Sequence, residues 1–410
     1  MRTVLLAAYE AAVSACDPEA AVRSAISLEG DGIVVGGHRI PDASVGDVAI
    51  VALGKAAPAM ARGAAGVLGP LRGVAVSNHI EPCPVPLFLG SHPVPDASSL
   101  ACGTHLIEFV RSLSPSDVVV YLISGGGSAI AVAPVDGVDL ADLAAMNEVM
   151  MGAAVPIGEM NEVRAAVSNI KGGGLANACQ ARRSVTLLLS DVVGAEPTHV
   201  ASGPSIGAGM GSGAAAVMQR HSLASRMPPA IGNAVQRWSP TDKRESHPFT
   251  VIGSPDVAAN AAATYLASVG LASTIVTTEL MGEARAEAVD LVARSAPGRV
   301  TIAAGETTVT VTGDGVGGRN QEAALAAAIE ISGTDVVFGA FGTDGIDGAT
   351  PAAGAIVDGA TARSARDRGI DLAAALVNND SHTALTALGV TVVRGDTGTN
   401  VGDLWLIARI

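Results

Sequence analysis

Short, unbroken apolar runs recur along this chain, each ending in a turn rich in glycine or polar residues and leading into a helix-like stretch. Val48-Ala49-Ile50-Val51-Ala52-Leu53 ends in Gly54-Lys55, and Val118-Val119-Val120-Tyr121-Leu122-Ile123 ends in Ser124-Gly125-Gly126-Gly127-Ser128. The run from Val185 to Leu189 ends in Ser190-Asp191. Runs without polar alternation are strands buried on both faces, so the pattern predicts a parallel sheet sandwiched by helices, an N-terminal Rossmann-like α/β unit. The alanine-rich segment from Ala201 to Val217 reads equally well as loop or helix. After Trp238 the character changes: Ser239 to Pro248 is polar, charged and bracketed by prolines, and marks a boundary or a long surface loop. Strand-like runs then resume at 249–252, 272–276, 300–304, 309–312 and 336–341. Gly305-Glu306-Thr307 separates two of them, which predicts a hairpin and hence a mixed sheet in a second α/β domain. The expected division is 1–237 and 248–410.

Length supports that division, since 410 residues exceed one ordinary core. Aromatics make up only 2% of the chain, so Ala, Val, Leu and Ile must build the interior. A net charge of -14 argues against a nucleic-acid or anionic-membrane partner. An anionic substrate then depends on basic residues placed locally. Cys16, Cys83, Cys102 and Cys179 are scattered without metal spacing, which points to a reducing compartment and a cytoplasmic protein. No apolar run is long enough to span a bilayer. The start loosely resembles a lipoprotein signal, but Glu10 interrupts it, and an amphipathic first helix ending near Asp17-Pro18 is the better reading. That helix could pack against the C-terminal domain. An apolar helix face leaves homo-oligomer formation open.

Ligands of open α/β sheets bind beyond the carboxyl ends of the strands, where the unusual residues of this chain concentrate. Lys55 opens a helix, where a cation opposes the dipole unless an anion sits with it. Ser124, Gly125, Gly126, Gly127 and Ser128 can form an amide nest for phosphate, although neither the Walker A nor the dinucleotide glycine pattern is met. Lys171 precedes Gly172-Gly173-Gly174 and has a sufficient explanation in capping a helix end. Asp191 could bind magnesium or cap a helix. His92 lies in a rigid, proline-rich loop. Arg319 is, like Lys55, a cation at a helix start, and offers a two-pronged fork for phosphate or carboxylate. Glu306, Asp314, Asp344 and Asp347 supply hard oxygen ligands of the kind that suits magnesium, although Asp beside Gly is also an ordinary turn pair.

Taken in order, these segments resemble the glycerate 2-kinases that carry a C-terminal MOFRL domain. The resemblance runs through Ala52 to Ala56, Ser91 to Asp96, Ser124 to Ala129, Asn161 to Arg164 and Ile170 to Ala176. It continues through Leu189 to Gly194, Ala201 to Pro204, Gly305 to Thr307, Gly318 to Glu322, Gly342 to Gly348, Asn379 to Ser381 and Thr397 to Val401. It implies ATP-dependent phosphorylation of D-glycerate to 2-phosphoglycerate with Mg2+, in two α/β domains with the active site in the cleft between them. It also implies catalytic roles for Lys55 and Arg319. Asp191 is the third catalytic candidate. Ser124 to Ser128 and Lys171 are the nucleotide and phosphate candidates, and His92, Asp96, Asn320 and Asn400 the substrate-binding ones. Asp191, Glu306, Asp344 and Asp347 are the metal-ligand candidates. The chain departs from the family pattern at Ala165-Ala166, at Pro255 and at Asp396, where many members have proline, which bears on fine substrate preference. A hydroxypyruvate reductase, a label some relatives have carried, would need a dinucleotide fingerprint that is not evident. A non-catalytic sugar-acid or nucleotide sensor would need an output module, and none is recognisable.

Overall fold

The structure is a computed structural model that describes residues 1–194, 196–206, 209–239 and 247–409. Most of the proline-bracketed stretch expected as a boundary, positions 240–246, lies outside the described residues. The contacts divide the chain into two compact units, Pro18–Ser190 with Ala195–Ile252, and Met1–Asp17 with Asp191–Gly194 and Gly253–Ile410.

The first of these units holds a small antiparallel sheet of β1 (Ile26–Glu29), β2 (Gly32–Val35) and β3 (His38–Ile40). Its main sheet comprises β4 (Val48–Leu53), β5 (Arg72–Ser77), β6 (Leu87–Leu89), β7 (Val118–Ile123), β8 (Arg183–Leu189) and β9 (Phe249–Gly253), in the order β6-β5-β4-β7-β8-β9. The registered pairs β4–β5, β4–β7, β5–β6 and β7–β8 are all parallel. Counted from β4 this is the doubly wound order 3-2-1-4-5-6, which confirms the Rossmann-like expectation. Every residue of β4 and β7 is buried, which is why their sequences show no alternation. A methionine- and valine-rich helical cluster completes the unit. Helices Leu140–Gly152, Ile157–Ala166, Ala214–Arg220 and Pro229–Arg237 pack there around Met146, Met150, Val163 and Ile231. The ambiguous alanine-rich segment thus resolves partly into helix, from Ala214 onward.

The second unit contains β10 (Ser273–Leu280), β11 (Arg299–Gly305), β12 (Val336–Gly342), β13 (Gly354–Asp358), β14 (Thr391–Val392) and β15 (Asp403–Arg409), in the order β10-β11-β15-β12-β13-β14. β10 and β11 are parallel and the remaining pairs antiparallel, so the sheet is mixed as expected. The expected hairpin does not form. Residues 309–312 are not a strand, because the seven-residue, almost wholly buried β15 takes the pairing edge of β11. The segment beyond Glu306 is held instead by Thr308 N–H donating to Gly282 O at 2.8 Å and Thr310 N–H donating to Glu283 at 3.0 Å.

The first helix, Arg2–Ala15, belongs to this unit. Leu5, Ala8, Tyr9, Ala12 and Val13 fall on one helical stripe and are all buried. Tyr9 stacks on Phe341 with ring centroids 4.6 Å apart, and its hydroxyl donates to Gly342 O at 3.0 Å. The unit is therefore discontinuous in sequence, and the continuous span 1–237 is not what the contacts assemble. Cys16, Cys83, Cys102 and Cys179 are free thiols. Among the described residues no helix is long and apolar enough to cross a membrane.

Candidate active site

The β4–β7 neighbours flank the point at which strand order reverses, where doubly wound sheets open a crevice for ligands. Two turns meet there. Lys55 N–H donates to Gly125 O at 3.0 Å, and Ala56 N–H donates to the Ser124 hydroxyl at 3.0 Å. Gly54, at φ 124°, presses so close to Ser124 that any side chain would collide with its carbonyl oxygen, 2.4 Å from an ideal Cβ. Gly126, at φ 82°, lies just before the short helix Gly127–Ile130, and a Cβ there would stand 3.1 Å from Lys55 Cγ and 3.3 Å from His92 Cδ2. Lys55, the glycine turn and His92 therefore converge. The Lys55 side chain is exposed and makes no ion pair among the described residues. His92 is held below its ordinary value by burial first and by the neighbouring Lys55 charge second, both of which disfavour the protonated ring. Asp96 does not join this group: its carboxylate accepts from Ser98 N–H at 2.8 Å and Ser99 N–H at 3.3 Å, capping the helix Ala97–Ser112.

The turn continues into a second group of polar side chains. Lys171 is buried, and its ammonium donates to Ser128 O at 2.7 Å rather than merely capping a helix end. The Ser128 and Ser202 hydroxyls are 2.6 Å apart, and Ser202 donates to Asn161 Oδ1 at 3.2 Å. Arg164 is half-buried and, among the described residues, reaches only neutral oxygens, Asn147 Oδ1 at 3.0 Å and Asn161 Oδ1 at 3.3 Å.

In the other unit, Gly305, Asp403 and Gly342 stand side by side at the ends of β11, β15 and β12. Asp403, fully buried, accepts from Arg319 Nε through both oxygens at 2.9 and 2.8 Å, from Asn320 Nδ2 at 2.8 Å and from Thr307 N–H at 3.2 Å. Arg319 Nη1 also pairs with Glu306 at 3.0 Å. Burial disfavours the guanidinium charge, but Asp403 and then Glu306 more than offset it and hold the Arg319 pKa above its ordinary range. Glu306 is pushed up, first by desolvation, with Arg319 opposing and Asp403, Asp191 and Asp344 adding to the rise. Asp344 is likewise raised by desolvation, against a hydrogen bond from Ile346 N–H.

Asp403 was not singled out from sequence. Its only signal is a lone carboxylate after Gly402, heading the apolar run Leu404 to Ala408. Two other expectations change. Asn320 is completely buried, and its amide donates to Asp347 and Asp403 while its oxygen accepts from Trp405 Nε1 at 2.8 Å, so no part of it is left for a substrate. Asp347 is not arranged as a metal ligand: it accepts from the backbone N–H groups of Asn320 and Gln321 at 3.0 and 2.8 Å and from both their side chains, capping the helix Arg319–Glu330. Asn400 accepts from Gly402 N–H at 3.1 Å and so shapes the turn before Asp403. Asp314 is exposed, and its backbone N–H donates to Asn378 Oδ1 at 3.4 Å. Among the described residues no three His, Cys, Asp or Glu side chains converge as a metal cage.

One doubly wound unit with an uncompensated lysine over a glycine turn, and a mixed-sheet unit with an arginine set among carboxylates, define an α/β protein suited to a phosphorylated or carboxylated small ligand. Residues 4–236 match a domain of unknown function (DUF4147), and residues 299–403 match the MOFRL family. The D-glycerate 2-kinase of Thermotoga maritima is 35% identical over 89% of this chain and 91% of its own. A solved glycerate kinase structure from the same organism shares 30% identity, with a TM-score of 0.88 over 100% of this chain and 99% of that one. A relative from Agrobacterium vitis that carries a hydroxypyruvate reductase name is 35% identical over 98% of this chain and 93% of its own. The chain belongs to the glycerate 2-kinase family with a C-terminal MOFRL domain.

Proposed function

We propose that this protein transfers the γ-phosphoryl group of ATP to the C2 hydroxyl of D-glycerate, giving 2-phosphoglycerate and ADP. The observation that carries the proposal is the unpaired Lys55 over the Ser124 to Ser128 turn at the switch point of a doubly wound sheet. An exposed ammonium beside a glycine-rich turn is a site for phosphate oxygens. Phosphoryl transfer needs positioning and charge neutralisation more than covalent chemistry from the protein.

The second unit carries a carboxylate cluster of its own. Glu306, Asp344, Asp191 and Asp403 act on one another and on Arg319, and hard oxygen donors of this kind suit a divalent cation. Magnesium binds through substrate phosphates with one or two protein carboxylates, so a dedicated cage is not required. Glu306 and Asp344, with Asp191, would hold it, and the ion would neutralise charge on the phosphate oxygens. Glu306, raised by partial desolvation of a side chain that is still 47% exposed and by neighbouring carboxylates, is also suited to take the hydroxyl proton as the C2 oxygen attacks phosphorus and ADP leaves. Arg319 is committed to Asp403 and Glu306, so its role in this reading is to align those carboxylates. The free thiols of Cys16, Cys83, Cys102 and Cys179 fit a reducing compartment such as the cytoplasm for this reaction.

The test is ADP release from ATP on addition of D-glycerate and magnesium, run beside nicotinamide cofactor oxidation with hydroxypyruvate. Glycerate-dependent ADP release without nicotinamide turnover supports the kinase. The reverse pattern would replace it with the reductase.

A further inference from the structure

Next to the glycine turn lies a pocket of about 200 Å³ whose wall includes Ser128, Asn147, Arg164 and Lys171, with Leu143 and Met146 among its apolar lining. Its charge is one-sided. Arg164 and Lys171 both face it, neither forms a salt bridge among the described residues, and their polar partners are two asparagine oxygens and one backbone carbonyl. Burial lowers the Arg164 pKa, while burial and then the Arg164 charge bring Lys171 down to about 7. Two neighbouring basic groups, one buried and one half-buried, without a counter-ion among the described residues are costly to charge, and folding alone does not reward the arrangement.

Size and shape narrow the anion. Pockets for drug-sized ligands run from roughly 300 to 1,000 Å³, so this one suits an acid of a few carbons and not a nucleotide. The Arg164 fork matches a planar carboxylate. Leu143 and Met146 can cover a short carbon chain. The Ser128 carbonyl that holds Lys171 closes the turn whose other end packs on Lys55, so the pocket adjoins the phosphate turn.

We infer that Arg164 and Lys171 form the carboxylate-recognition site for the acceptor, making this chain selective for small hydroxy acids over neutral polyols and amides. The inference rests on the kinase reading only for the identity of the acid. Neither residue is assigned to phosphate, which moves Lys171 from the nucleotide to the acceptor.

The experiment compares the full-length enzyme with Arg164→Gln and Arg164→Lys. Saturation curves for D-glycerate and for ATP are measured separately, with glyceramide as the neutral acceptor. Folding is checked by circular dichroism. Losing a charge-assisted, two-pronged contact is expected to raise the glycerate KM on the order of 100-fold in Arg164→Gln. The ATP KM should stay within about twofold, and the preference for glycerate over glyceramide should collapse by the same factor. Arg164→Lys, which keeps charge but loses the fork, should fall in between. A rise in the ATP KM with glycerate unaffected would overturn the inference and return the pocket to phosphate. So would an unchanged preference for glycerate over glyceramide. If the wild-type chain shows no turnover, the kinase reading fails, and the pocket is then judged by calorimetric titration with D-glycerate and with lactate. Binding by wild type that is lost in Arg164→Gln sustains the carboxylate site without the kinase, and no binding by wild type refutes it. A variant that fails to fold is replaced by Lys171→Met, with the same expectations.

Discussion

Asp403 is the keystone of the polar cluster in the second unit, and Asp403→Asn measures that. The substitution keeps side-chain shape, removes the charge and adds an N–H₂ group. In the structure Asp403 is fully buried and accepts from Arg319, Asn320 and Thr307, all within 3.4 Å. The new amide has one oxygen for those donors, and its nitrogen must face Arg319 Nε or Asn320 Nδ2. Removing one partner of a buried ion pair costs about 3–5 kcal/mol. Arg319 keeps Glu306 at 3.0 Å, but that carboxylate is nearly half exposed at 47% and compensates weakly. The expected loss is therefore about 3 kcal/mol, toward the lower end of the range. Trp405 lies two residues along the same strand and reports on this unit, while Trp238 lies in the other unit. Urea unfolding followed by fluorescence in a Trp238→Phe background isolates the signal. At a slope of about 1–3 kcal/mol per molar urea, the midpoint should fall by about 1–3 M. A loss below about 1 kcal/mol would show that Arg319 and Asn320 find other partners, and would refute the claim that Asp403 organises the cluster.

Three further outcomes follow from the same geometry. Lys55→Met should lower kcat/KM by about 10²–10³-fold with thermal stability unchanged, because an exposed, unpaired side chain does no structural work; full activity would remove Lys55 from the site. Gly126→Ala should destabilise by about 1 kcal/mol through its positive φ and reduce turnover by displacing Lys55, which is 3.1 Å from the new methyl; unaltered kinetics would show that the turn and the lysine are not coupled. Lys171, at about 7 against an ordinary lysine value well above, is largely neutral at pH 8.5, with Arg164 the charge facing it. A bound carboxylate favours its protonated form, so glycerate binding at pH 8.5 should take up protons, measured by calorimetry in two buffers of different ionisation enthalpy; zero uptake or proton release would contradict the carboxylate site.

Much of the architecture was legible because burial on both faces leaves a mark. β4 and β7 read as unbroken apolar runs, and Gly54 and Gly125 to Gly127 announced the turns beyond them. The chain start read as an amphipathic helix ending near Asp17-Pro18 that could pack against the C-terminal domain, but its actual partners, Phe341 and Gly342, are more than three hundred residues away and left no local mark. The hairpin expectation failed because local alternation cannot show that β15, from the far end of the chain, is the better partner for β11. Site residues divided in a similar way. Lys55 stood out because a helix dipole makes a cation there unusual. Asp96, Asp347 and Asn320 looked equally eligible, yet each has its polar atoms occupied by helix caps or neighbours. Asp403 and Arg164 draw their significance from contacts and enclosure in three dimensions, which spacing along a chain does not encode.

The measurement that bears most directly on the central claim is ATP turnover on D-glycerate with magnesium, coupled to enolase with no mutase present. Enolase accepts 2-phosphoglycerate and not the 3-isomer. Transfer to the C2 hydroxyl predicts phosphoenolpyruvate formed in step with ADP. ADP released at the full rate with no enolase signal would contradict transfer to the C2 hydroxyl, and the absence of both signals would contradict the kinase itself.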